Sequence, residues 1–194
     1  GKKYGDGEFL FSNGSRYKGG YKDDEFHGDG IYFLIDGSIY EGEFSQGLIH
    51  GSGVFTYADG NEYSGQFQYG KWDGKGALLM GNGNMYTGSF KDNQICGNGV
   101  FTYANGSVYS GSFIEGRKDG YGSFIMENRS GTDKYSGDFR DDMFNGFGEF
   151  IFSNGSIYEG EFKNNLFHGQ GIFILEDGTA FEGLFHEGKF VTAQ

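Results

Sequence analysis

The sequence has no proline, a single cysteine and no long apolar run. Cys96 has no second cysteine to pair with, so we expect no internal disulfide. No apolar stretch approaches the ~18 residues of a transmembrane helix, and the N-terminus lacks an apolar signal segment. Basic residues are few, 15 against 27 acidic ones, which gives a net charge of −12. Such a chain repels phosphate backbones, so we expect no nucleic-acid partner. Because the sequence lacks a signal segment, we expect a cytoplasmic location.

Glycine and aromatic residues are abundant instead. The 194 residues include 39 glycines, 22 phenylalanines and 14 tyrosines. Aromatic side chains favour half-buried strands, and glycine serves tight turns and close backbone contacts. Because disordered chains are poor in aromatics, this composition predicts short strands joined by tight turns.

A Tyr-x-Gly-x-aromatic signature repeats along the whole chain, and we number repeat positions from its first residue. The intervals between signatures are 23 residues, with one of 26. The signatures begin at Tyr17, Tyr40, Tyr63, Tyr86, Tyr109, Tyr135, Tyr158 and Phe181. We therefore predict one continuous array over 1–194, with partial repeats at 1–16 and 181–194. A start inside a repeat leads us to expect a piece of a longer array.

Each repeat has the pattern of a β-hairpin. Glycines at positions 12 and 14 precede position 16, which is Leu78 in one repeat and aromatic in the others, and most repeats then carry Asp-Gly or Asn-Gly. These dipeptides favour type I′ hairpin turns. Alternating strand side chains place positions 1, 3 and 5 on one face, so we predict an aromatic stripe there. Its members are Tyr40, Phe44, Tyr63, Phe67, Tyr86, Phe90, Tyr109, Phe113, Tyr135, Phe139, Tyr158 and Phe162.

The predicted fold is all-β, an elongated, single-layer, twisted antiparallel meander of some 16 short strands. One hairpin alone is marginal, whereas stacked hairpins share a continuous core. The 26-residue interval contains three extra residues near Glu127 to Lys134, which we expect to form a longer loop. The only tryptophan, Trp72, is expected in a loop.

These motifs closely resemble the MORN (membrane occupation and recognition nexus) repeats. The family pattern is Tyr-x-Gly-x-Trp/Phe, then Gly-x-Gly and Asp-Gly within 23 residues, although position 5 here is never tryptophan. The resemblance implies a non-catalytic scaffold that joins proteins, in a cytoskeletal or membrane-cortex setting. It also leaves two alternatives open, a module that binds anionic phospholipid and an accessory region of a larger enzyme.

No motif predicts catalysis or a cofactor. The Gly-x-Gly pairs recur once per repeat and lack the further residues of nucleotide-binding loops, and most carboxylates fall on the solvated face. Position 11 carries several metal-ligand types, but one column of strands is spaced too widely to surround an ion. His168 and His186 are a closer pair, for which we consider zinc only at a dimer interface.

The two ends of the array suggest interaction surfaces. A modest basic cluster near the N-terminus could meet anionic lipid or an acidic partner; it comprises Lys2, Lys3, Arg16, Lys18 and Lys22. The last repeat is unusually apolar, and an end strand has unpaired backbone groups. We therefore expect a homodimer through Phe181, Leu184, Phe185, Phe190 and Val191.

Overall fold

The computed structural model describes the backbone of residues 1–193 and the side chains of residues 1–191. Gln194, assigned above to the last partial repeat, lies outside the described residues. Within them the chain forms seventeen β-strands and no helix, and every strand pairing is antiparallel. The predicted all-β, single-layer meander is therefore confirmed. The chain divides into two compact units, unit 1 (Gly1–Gln94) and unit 2 (Ile95–Gln194).

In both units each strand pairs with its neighbours in the chain. Unit 1 contains β1 (Gly5–Leu10), β2 (Arg16–Lys22), β3 (Glu25–Phe33), β4 (Ile39–Ser45), β5 (Leu48–Thr56), β6 (Glu62–Gln68), β7 (Lys71–Leu79) and β8 (Met85–Lys91). The remaining strands are β9 (Gln94–Thr102), β10 (Val108–Ile114), β11 (Arg117–Asn128), β12 (Gly131–Arg140), β13 (Met143–Ile151), β14 (Ile157–Lys163), β15 (Leu166–Ile174), β16 (Ala180–His186) and β17 (Lys189–Ala193).

The core of each unit is a layer of rings on one face of the sheet, which we call the aromatic face. All twelve predicted stripe residues are buried, and tyrosines such as Tyr63 are fully so. The Tyr63 hydroxyl donates a hydrogen bond of 2.9 Å to the carbonyl oxygen of Gln66. Burial raises the pKa of Tyr63 to about 12, so the hydroxyl remains a donor at physiological pH.

Paired glycines make room for each buried tyrosine. Positions 3 and 14 of a repeat are opposite each other on adjacent strands, as in the pair Gly65 and Gly76. The Tyr63 ring lies across this pair. A Cβ on Gly76 would come within 2.6 Å of the Tyr63 hydroxyl oxygen, so no larger residue fits there without displacing the ring.

Position 10 supplies a second layer of rings, which the sequence analysis missed. The prediction that Trp72 lies in a loop is wrong, because it belongs to β7 and pairs with Phe67. Its ring stacks on Tyr63 with centroids 4.6 Å apart and planes inclined by 10°. Phe144 stacks on Tyr135 in the same way, at 3.9 Å. The signal was a large residue at position 10 of most repeats.

The type I′ turns lie elsewhere than predicted. At Asp36–Gly37 only the glycine has a positive φ, while the Asp36 carboxylate accepts the Ser38 N–H. Two consecutive residues with positive φ occur instead at repeat positions 7 and 8, as in Gln46–Gly47. A two-residue connection needs this backbone, whereas the longer Asp-Gly loop needs a left-handed residue only at its glycine.

The three extra residues extend a hairpin rather than forming a longer loop, so that expectation is wrong. β11 and β12 continue their pairing as far as Asn128 and Gly131. Two residues then make the turn. Continued pairing satisfies the backbone hydrogen bonds that an open loop would leave to water.

The ring layer leads to a stability prediction. Phe67→Ala removes a buried ring that contacts Tyr40, Tyr63 and Trp72, and it should cost about 3–5 kcal/mol of unfolding free energy. Gln68→Ala, at the next and exposed position, should cost no more than about 0.5 kcal/mol. Urea unfolding followed by Trp72 fluorescence measures both. Equal losses in the two variants would contradict the assignment of the aromatic face.

Candidate functional site

A groove crosses the opposite face of unit 2, where the sheet carries no ring layer. It has a volume of about 640 Å³. We call it the glutamate groove, and it is lined by Tyr121, Ser136, Phe147, Glu149, Glu159, Gln170, Ile172, Glu182 and the glycines 137, 148, 160 and 171. These glycines belong to the paired rows that accommodate the tyrosines, so bare backbone forms the floor of the groove.

The groove is acidic because the strand register aligns carboxylates. Glu149 and Glu159 are directly opposite each other on β13 and β14, and Glu182 follows beyond Ile172. Within the described residues, none of the three glutamates forms an ion pair or a side-chain hydrogen bond. Like charges directly across a strand pair destabilise a sheet, so this row is unfavourable for folding.

Two nearby carboxylates have a structural role instead. Each repeat contains an irregularity in the pairing between its two strands, near positions 3 to 5. There the Asp138 carboxylate accepts the Phe147 N–H at 3.2 Å, and the Glu161 carboxylate accepts the Gln170 N–H at 3.1 Å. Position 4 therefore satisfies backbone groups that the irregular ladder leaves unpaired.

Two aromatic side chains beside the groove are exposed. Tyr121 is 69% and Phe147 65% exposed, although both stand on a face that is otherwise largely polar. In unit 1 the same repeat position carries polar residues, Asp29, Ser52 and Lys75. Only the carboxylates of this face were expected from the sequence, as a solvated surface, and the two exposed rings were not. The available signal was a departure from the repeat pattern at one position.

The two predicted metal ligands are brought together within one chain. The rings of His168 and His186 have centroids 5.2 Å apart. No group of three or more His, Cys, Asp or Glu residues that could hold a metal ion occurs in the described part of the chain. The position-11 column contributes no further ligand to this pair.

The predicted dimer residues do not share one environment. Phe185 is buried at 3% exposure and packs on Tyr158 and Phe190 within its own chain. Phe181, Leu184 and Phe190 are 37–39% exposed, and Val191 is 57% exposed. Four apolar side chains thus remain at the surface of β16 and β17. Because side chains alternate along a strand, Phe181 lies on the aromatic face and Leu184 on the opposite one.

The basic cluster is partly neutralised by the chain itself. The Lys2 ammonium lies 3.1 Å from the Asp23 carboxylate, and the Arg16 guanidinium lies 3.0 Å from Glu8. The Lys3 ammonium stands over the Phe9 ring at 4.6 Å. Two of the five charges in the cluster are therefore paired within the chain, whereas Lys18 and Lys22 form no ion pair with the described residues. Of the described residues, none forms a helix suited to crossing a membrane.

The comparisons with known proteins agree with the repeat architecture. The family model described as MORN repeat matches residues 17–39, 40–62, 63–85, 86–108, 109–130, 135–157 and 158–180. These segments begin at the seven tyrosines that start the complete repeats. A search of curated proteins finds no match in sequence.

Some solved structures have a limited likeness to the chain. One is the SAS-4 (dCPAP) TCP domain of Drosophila melanogaster in complex with a proline-rich motif of Ana2 (dSTIL), with 11% identity, a TM-score of 0.47, and 93% of this chain and 90% of that chain covered. Another is the TCP10 domain of Danio rerio CPAP, with 15% identity, a TM-score of 0.36, and 89% and 91% covered. At these TM-scores neither carries an inference about what this chain binds.

The aligned glutamates lead to a second stability prediction. Glu159→Gln removes the repulsion from Glu149 and should raise the unfolding free energy by about 0.2–1 kcal/mol at low salt. Glu182→Gln is the matched control, since its cross-strand neighbour is Ile172. Urea unfolding at low and high salt should show a gain for Glu159→Gln that shrinks as salt screens the charges. A gain of the same size in both variants would point to net charge rather than to the pair.

Proposed function

We propose that this chain, which belongs to the MORN repeat family, is a non-catalytic scaffold that binds a partner protein along the glutamate groove. The observation that carries the proposal is the row of unpaired glutamates beside two exposed rings. The row destabilises the fold, and exposed rings on a polar face also cost solubility. Both features are explained if a partner covers them.

The partner that fits the groove is a basic, extended segment. Lysine or arginine side chains would neutralise Glu149, Glu159 and Glu182, while apolar side chains between them would contact Tyr121 and Phe147. The floor of the groove is the backbone of the four glycines, which a partner chain can approach between the flanking side chains. We propose a cytoplasmic setting at the cytoskeleton or the membrane cortex, as the family resemblance implies.

The two alternatives have less support. Binding of anionic phospholipid would need a basic surface, and two of the five basic residues in the N-terminal cluster, Lys2 and Arg16, are already paired with carboxylates. The overall charge of −12 also opposes an anionic surface. An accessory role in a larger enzyme is compatible with partner binding, and no residue of the groove favours it specifically.

The test uses a labelled peptide of alternating lysine and valine, with a glutamine–valine peptide as the neutral probe. Fluorescence anisotropy should show salt-sensitive binding of the lysine peptide only. Replacing Glu149, Glu159 and Glu182 together by glutamine should weaken it at least about tenfold, since each charged contact contributes. Phe147→Ser, which installs the residue found at this position in another repeat, should also weaken it.

The control is an equal change of charge in unit 1. Glu25, Glu41 and Glu62 replaced together by glutamine should leave binding within about twofold, because none of the three lines the groove. An equal loss in the two triple variants, or no binding of the lysine peptide at low salt, would contradict the proposal.

We also propose a homodimer through the last two strands, with contacts from their exposed apolar residues Phe181, Leu184, Phe190 and Val191. Three of these side chains are about two-fifths exposed and one more than half, and their strands lie at the end of the unit. A two-fold contact between these strands would cover the exposed apolar side chains of both copies. A second copy could also add ligands to His168 and His186, which makes zinc at this interface part of the same proposal.

Light scattering after size exclusion tests the dimer. The mass at tens of micromolar should be that of a dimer, and Leu184→Glu should reduce it to that of a monomer. Glu182→Leu, a nearby change that adds apolar surface, should not dissociate it. A monomer mass for the unmodified chain would rule out this contact. Added zinc should then leave the mass unchanged, because zinc is proposed only at the dimer interface.

A further inference from the structure

A second cavity lies in unit 1, on the aromatic face, and it is lined mainly by rings and aliphatic side chains. Its volume is about 830 Å³. We call it the Trp72 pocket, and it is lined by Phe55, Tyr57, Asp59, Asn61, Phe67, Gly70, Trp72, Leu78, Met80, Gly81, Asn82 and Asn93. It shares no residue with the glutamate groove, so the two sites can be tested separately.

The pocket exists because this repeat departs from the others at three positions. Position 16 is Leu78, where the other repeats have phenylalanine or tyrosine, and position 19 is Gly81, which has no side chain. Position 10 is Trp72, the only tryptophan. Leu78 leaves space that a ring fills in the other repeats, Gly81 adds no side chain, and the tryptophan enlarges the aromatic wall.

The two principal rings of the wall are held in a fixed arrangement. The ring planes of Trp72 and Tyr57 are inclined by 79°, with centroids 6.1 Å apart. Trp72 is stacked on Tyr63, and Tyr57 on Phe55 at 4.3 Å. Nearly perpendicular rings form a corner of the type that receives a cation.

The charge of the lining is negative. Asp59 is the only ionisable acid or base among the lining residues apart from Tyr57, whose pKa is raised by burial so that it stays neutral. Both carboxylate oxygens of Asp59 accept hydrogen bonds from Asn61, which fix its position. Among the described residues no cation forms an ion pair with Asp59. The pocket therefore offers rings and a carboxylate without a positive charge of its own.

Unit 2 shows what the equivalent positions can hold. There position 10 is Lys118, and its ammonium lies 4.7 Å from the Phe124 ring centroid. It also lies 5.6 Å from the centroids of Tyr103 and Tyr109, which correspond to Tyr57 and Tyr63 in unit 1. Rings at these repeat positions thus surround a lysine that the chain itself supplies. In unit 1 a ring replaces that lysine, and a cavity remains.

We propose that the Trp72 pocket binds the side chain of a lysine presented by a partner protein. The ammonium lies against the Trp72 and Tyr57 rings and towards Asp59, and the aliphatic part of the side chain contacts Leu78 and Met80. The size of the pocket leaves room for the backbone on either side of the lysine.

The experiment follows the indole N–H signal of Trp72, which is unique in the proton–nitrogen NMR spectrum because the chain has one tryptophan. The probes are N-acetyl-lysine methylamide, its trimethyl-lysine analogue and its norleucine analogue, which keeps the aliphatic chain without the charge. Both lysine probes should shift the signal saturably. Norleucine should bind about tenfold more weakly, the effect of a desolvated cation–π contact.

The repeats themselves provide variants that should fold. Each variant installs the residue that a neighbouring repeat has at the equivalent position. Tyr57→Leu corresponds to Leu34, Leu78→Phe to Phe55, and Asp59→Asn to Asn82. Each should weaken lysine binding about fivefold or more, whereas Asp36→Asn, the same change in another repeat, should not. Since Tyr57→Leu also removes a partner of Trp72, the dissociation constants are compared rather than the starting shifts.

Three outcomes would overturn the proposal. The first is that norleucine binds as tightly as lysine, because the pocket would then recognise only the apolar part of the side chain. The second is that choline or phosphatidylcholine vesicles shift the signal while lysine does not bind, which would assign the pocket to a lipid headgroup. Absence of a saturable shift with either lysine probe would also reject it. The triple glutamine variant of the glutamate groove should bind lysine normally, so failure of one proposal is separable from failure of the other.

Discussion

The close contact between a tyrosine ring and a pair of glycines is the constraint on which the rest of the structure depends. Tyr63 crosses Gly65 and Gly76 and reaches the Gln66 carbonyl, and the same arrangement recurs in other repeats. A side chain at either glycine would collide with the ring. Because the ring then stacks on position 10 and touches position 5 of the next repeat, one glycine pair positions a whole section of the core.

The architecture was predictable because it follows from spacing, whereas the turns were not. A 23-residue period with alternating aromatics identifies the strands, since side chains alternate along each of them. The turn assignment went wrong at Asp36–Gly37, where the favoured dipeptide forms a longer loop. The two-residue turns use less typical pairs such as Asp92–Asn93, whose left-handed backbone is imposed by the ladder on both sides.

Functional positions are hard to recognise in a repeat because each has a structural counterpart. Glu159 was interpreted as a solvated surface residue, and its alignment with Glu149 depends on a register between strands that no local motif reports. Phe147 and Leu78 could have been noticed as departures from their columns. Whether such a departure opens a pocket or merely repacks the core depends on neighbours such as Gly81, which only the three-dimensional arrangement reveals.

Pairing only between neighbours in the chain also shapes how the protein can form. No strand has to wait for a distant segment, since each partner arrives after a connection of a few residues. The entropy of closing large loops, which slows most all-β proteins, is largely absent. Each hairpin can therefore dock on the one before it as the chain leaves the ribosome, so that assembly proceeds in the order of synthesis.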